Sequence, residues 1–133
     1  ARLLEALKSY NQAAQLQPES ALIRRDLARI QIEFNEPALI KAAIINLGAA
    51  LASENQSAFT WHLLAIAHGR NNDLGRSSIA LAEEALLKGN PKFAEFHAGR
   101  ALKTFSKGSR EWLQAEDIRL AAKELANRIR RNQ

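Results

Sequence analysis

Ala6-Leu7-Lys8-Ser9-Tyr10-Asn11-Gln12-Ala13-Ala14-Gln15-Leu16-Gln17-Pro18 decides the fold of this chain. Within it Ala6, Tyr10, Ala13 and Pro18 stand at relative positions 0, 4, 7 and 12, the first three on one helical face and the proline closing the helix. The frame returns as Ala43, Leu47, Ala50 and Asn55, and again as Ala94, Ala98, Ala101 and Ser106. Around these runs alanine and leucine dominate at helical spacing, valine is absent and threonine is scarce. The reading is all-α.

A recurring frame of this kind resembles the second helix of the tetratricopeptide repeat (TPR), a pair of antiparallel helices that buries its apolar face only by stacking on the next pair. The expected fold is therefore a TPR helical solenoid, one domain over residues 1–133, with about seven antiparallel helices and an open groove. Punctuation places the ends. Pro18 stops the first helix near Gln17, and Ser20 caps a second that runs to Phe34. Asn35 and Pro37 open a third that ends near Ala52. The fourth spans 58–70, and the fifth runs from the Asn71-Asn72-Asp73 turn to Lys88, with Gly89 at its left-handed end. Asn90 and Pro91 start the sixth, and Ser109 starts the seventh, which reaches about Arg130. Trp61 and Trp112 take the fourth position of their repeats, where a large side chain plugs the space between two helices. They lie one and a half repeats apart, so the fifth helix is expected to serve two repeats at once.

Composition narrows the chemistry. There is no cysteine, which excludes disulfides and thiolate metal sites and suits an oxidising compartment. There is no methionine either, and the first residues already read as the second half of a repeat, so the expectation is a piece of a longer protein. No apolar run is long enough to span a membrane. The net charge of +5 is uneven. Ten basic and ten acidic side chains balance over residues 1–99, whereas residues 100–131 carry nine basic against four acidic. Such an end attracts anionic partners or complements its own helix dipole. Phe93 and Phe96 lie near it, but their helical spacing points to burial, and no nucleic-acid partner is expected.

No catalytic constellation is present in the chain. His62 and His68 are six residues apart, about 240° round a helix, and so cannot clamp one ion. His68 occupies a packing position, and His97 stands alone. Glu83 and Glu84 are adjacent and diverge by about 100°. The glycines are isolated and form no phosphate loop. No cofactor or metal is expected in the chain itself.

The groove is the better place for a site. Repeat positions that line it are Leu22, Arg25, Arg29, Ile32 and Glu33 in one repeat and Phe59, His62, Ile66, Gly69 and Arg70 in the next, with Arg76 heading the following helix. Arg25 and Arg29 stack four apart, able to fork onto a carboxylate. Arg25, Arg29, His62, Arg70 and Arg76 are thus the candidate peptide-binding residues. Together they are expected to make the wall locally positive for an acidic or C-terminal peptide. The alternative is that the two arginines only solubilise their face.

One stretch goes further. Thr60-Trp61, Leu64-Ala65-Ile66-Ala67-His68-Gly69-Arg70 and Ala80-Leu81-Ala82-Glu83-Glu84 are followed by Arg100-Ala101-Leu102, Lys107-Gly108-Ser109 and Trp112-Leu113-Gln114-Ala115-Glu116-Asp117-Ile118. Together they resemble the C-terminal repeat domain of BepA-like zinc metalloproteases, over nearly half the chain. His68 replaces a usual tyrosine, and Phe105-Ser106 a common Leu-Pro. The resemblance implies a periplasmic parent protease whose zinc site lies upstream of Ala1. It also implies partners among the outer-membrane assembly machinery, substrates or the protease domain itself. The other reading is a stand-alone adaptor, for which the cytoplasm serves equally.

Overall fold

The computed structural model describes residues 2–133, so Ala1 of the expected domain lies outside it. The described residues form seven helices and no strand: α1 (Arg2–Leu16), α2 (Ala21–Phe34), α3 (Pro37–Ser53), α4 (Ala58–Arg70), α5 (Leu74–Leu87), α6 (Pro91–Thr104) and α7 (Arg110–Arg131). Their ends fall where the punctuation puts them. Ser20, Ser57, Asp73, Asn90 and Ser109 each accept a hydrogen bond from the backbone N–H three residues on. That cap is worth about 1 kcal/mol per helix. Asn35 closes α2 at φ 54°, and Gly89 takes φ 74° after α5, a left-handed conformation that glycine adopts without strain.

Each helix packs on its neighbours in the chain, and two further contacts bridge α2 to α4 and α5 to α7. The bridge therefore changes phase at α5, which packs on α4, α6 and α7. Two cores result. The first joins Ile32, Ile40, Leu47, Leu63 and Leu64 of α2–α4, with Ala80 from α5. The second joins Ile79, Ala82 and Ala85 of α5 to an alanine stripe on α6 and to Ala115, Ile118 and Ala122 of α7. Alanines at Ala94, Ala98 and Ala101, all fully buried, let α6 approach its neighbours closely. Where α5 begins, Gly75 faces the Phe105 ring so closely that a Cβ there would stand 2.8 Å from it.

Several side chains depart from expectation. Phe93 and Phe96 are exposed, because α6 turns its alanine stripe inward and the phenylalanines flank that stripe. Trp61 and Trp112 are only partly buried, not full plugs. Trp61 leans on the first core while its Nε1 donates to the Asn55 carbonyl at 3.0 Å. Ile32 belongs to the core and Ile66 packs against it, so neither lines a groove. Between α2 and α3 lies a polar network that periodicity does not reveal. Asn46 donates to the buried Gln31 at 3.0 Å and accepts from Arg24 at 2.9 Å.

Candidate functional site

A continuous strip crosses α2, α4, α5 and α6. On α2, Arg25 lies 5.4 Å over the ring of Phe59 on α4. One turn later on α4, His62 Nδ1 is 3.1 Å from Glu84 Oε1 on α5. Glu84 Oε2 accepts from Lys88 Nζ at 2.7 Å. Glu84 and Lys88 then line a cavity of about 300 Å³ with Leu81, Phe93 and His97. Phe59 is 47% exposed and Phe93 59%, so two aromatic faces stand open beside these polar groups.

Glu84 is the buried centre of the strip. Burial opposes its ionisation, but the hydrogen bonds from Lys88 and His62 outweigh it and hold the carboxyl below its ordinary pKa. Its neighbour Glu83 behaves oppositely. Burial raises the Glu83 pKa, and the Gln114 amide that donates to it at 3.2 Å only partly offsets this. The two carboxylates face different helices, as their adjacency requires.

The candidate residues do not act as one positive wall. Arg25 pairs with Asp26 at 3.1 Å and Arg29 with Glu33 at 3.9 Å, so both guanidinium charges have carboxylates beside them. Arg70 donates to the Ile32 carbonyl at 2.8 Å, at the C-terminal end of α2. There a cation complements the helix dipole. Arg76 lies elsewhere, bound to Asp73 at 2.7 Å and 3.6 Å from Glu111 of α7. Only Arg25 and His62 belong to the strip. Glu84, Lys88, Phe93 and His97 complete it. A signal for the first two existed in their i,i+4 spacing at the C-terminal end of α5, where Lys88 is the capping residue, and the sequence reading did not use it.

Among the described residues no three His, Asp or Glu side chains converge to hold a metal. No helix among them is long and apolar enough to cross a membrane.

Two histidines, His68 buried and His97 half-buried, make stability depend on pH. Burial lowers the His68 pKa, with Asp73 opposing and Arg76 adding to the effect. Burial and then Arg100 lower that of His97, against Glu84. The unfolded chain therefore binds more protons below about pH 6.5, and this stability is lost as pH falls through the folded values. The urea midpoint should drop between about pH 7.5 and about pH 5.5, above the range where Glu84 titrates. The double variant His68→Gln/His97→Gln should drop less. An equal drop in both chains would assign the effect to other groups.

Comparison of the chain with protein-family models, with curated proteins and with solved structures finds no match in any of the three.

Proposed function

We propose that this chain is a TPR-type scaffold that holds an extended segment of a partner protein along the strip from Arg25 to His97. The observation that supports the reading is the alternation of open aromatic faces with paired charges across four helices. Phe59 and Phe93 supply apolar area for side chains of the segment. Arg25 and Lys88 supply hydrogen bonds to its carboxylates, each partly engaged already with Asp26 and Glu84. Affinity then comes chiefly from aromatic anchors, and salt weakens it only modestly.

Peptides selected from a displayed library on the immobilised chain supply the probe. Phe59→Ala and Phe93→Ala should each weaken the selected peptides about tenfold, as a moderate interface anchor does. Ile45→Ala, at an exposed position on α3, should leave binding unchanged. Peptides that bind both phenylalanine variants as well as the natural chain would remove the strip from consideration.

Within that reading the chain is the partner-recruiting and regulatory domain of a periplasmic zinc metalloprotease. Its support is the run from Thr60 to Ile118 described above. The alternative, a stand-alone adaptor, differs in what precedes the chain. A His-Glu-x-x-His motif encoded upstream supports the protease parent, and a start codon directly before Ala1 refutes it.

A further inference from the structure

A second cavity, of about 270 Å³, opens where α3, α4, α5 and α7 meet, on a different side of α4 from the strip. Its walls are apolar: Leu51, Trp61, Leu64 and Ile79. A dry apolar cavity of about 150 Å³ accepts benzene, so this one has room for a substituted ring.

Its polar lining is His68, Arg76, Glu111 and Gln114, of which the Gln114 amide already donates to Glu83 at 3.2 Å. His68 stands in the wall with 9% of its surface exposed; its Nδ1 is buried out of a guest's reach, and no protein group bonds its other ring nitrogen, Nε2. A ligand group that bonds Nε2 gains a hydrogen bond in a setting where apolar walls leave little room for water. At the rim Arg76 and Glu111 face each other at 3.6 Å, and Asp73 holds Arg76 at 2.7 Å. An anion entering here meets Glu111, and a cation meets Arg76. Burial also keeps the imidazole neutral at neutral pH. The cavity therefore suits an uncharged guest.

We propose that this cavity binds a phenol, its ring against the apolar walls and its hydroxyl on the His68 imidazole. A hydroxyl both donates and accepts, so it serves either tautomer of His68, whereas a ring N–H or a carbonyl serves only one. The phenol arrives either as a free small molecule or as the tyrosine side chain of a partner.

The test compares p-cresol with toluene on the intact chain, by calorimetric titration with the fluorescence of Trp61 as a second signal. p-Cresol should bind about three- to tenfold more tightly than toluene, the effect of one neutral hydrogen bond. Gly48 lines the same cavity, and a Cβ there meets nothing within 4 Å. Gly48→Leu should thus fold, with a gain in helix propensity, and weaken p-cresol by about tenfold or more through occlusion. His68→Phe should abolish the preference between the two ligands. If that variant does not fold, the natural preference and the Gly48 variant still decide. Equal binding of toluene and p-cresol to the natural chain, full p-cresol affinity in Gly48→Leu, or no saturable p-cresol binding at millimolar concentration would overturn the proposal. A capped Gly-Tyr-Gly peptide identifies the source. Competition with p-cresol at lower concentration points to a partner's tyrosine, and exclusion of the peptide while p-cresol binds points to a free molecule.

Discussion

Leu47→Ala should lower the unfolding free energy by about 3 to 4 kcal/mol, within the range for large-to-small changes at rigid core positions. Leu47 is the largest side chain with no accessible surface, at the middle of α3 and among Ile40, Leu51 and Leu63 of the first core. Helices on both sides fix the walls of the resulting void, so little of it can collapse. A domain of this size has roughly 5 to 15 kcal/mol in total, which makes the loss large. Urea unfolding followed by far-ultraviolet circular dichroism measures it. A loss below about 1 kcal/mol would mean that α2 and α4 close onto α3 far more readily than packed helices do.

Trp61→Ala should cost about 3 kcal/mol, the lower end of the range for an aromatic deletion. The indole packs on the first core with one face and gives up its bond to the Asn55 carbonyl, but part of it already meets solvent. Location matters as much as size. Trp61 is not part of the second core, so hydrogen exchange should quicken in α2 to α4 while the amides of α7 stay protected. Uniform loss of protection across all seven helices would show that the two cores unfold as one unit.

Helix ends were legible because each rests on a local device. Ser20, Asp73 and Ser109 cap through their own side chains, and Gly89 turns through its own φ. None of these needs knowledge of a distant residue. The spacing of Trp61 and Trp112 marked α5 as irregular, and α5 does pack on α4, α6 and α7, although the tryptophans are not the plugs that the spacing assumed. What escaped depends on the register between helices. The partners of Glu84 are Lys88, within reach of helical spacing, and His62, which lies 22 residues away. Asn46 meets Gln31 for the same non-local reason. Phe93 and Phe96 were misplaced because a phenylalanine pair and an alanine stripe compete for one helix, and only the distance to α5 and α7 decides which goes inward. On α6 the small residues win, since they allow the closer approach.

The change of phase at α5 also decides how this chain can be divided. α5 gives the first core a single fully buried methyl, that of Ala80, and gives the second Ile79, Ala82 and Ala85. A nick in the Asn71-Asn72 turn therefore separates two pieces of which the C-terminal one keeps its core whole. A nick at Gly89 instead strips α6 and α7 of the wall they pack on. Complementary fragments should reassemble from the first cut and fail from the second. The first cut thus leaves the α4–α5 face, with its His62–Glu84 and Ser77–Ala65 bonds, as the surface on which the two fragments would rejoin.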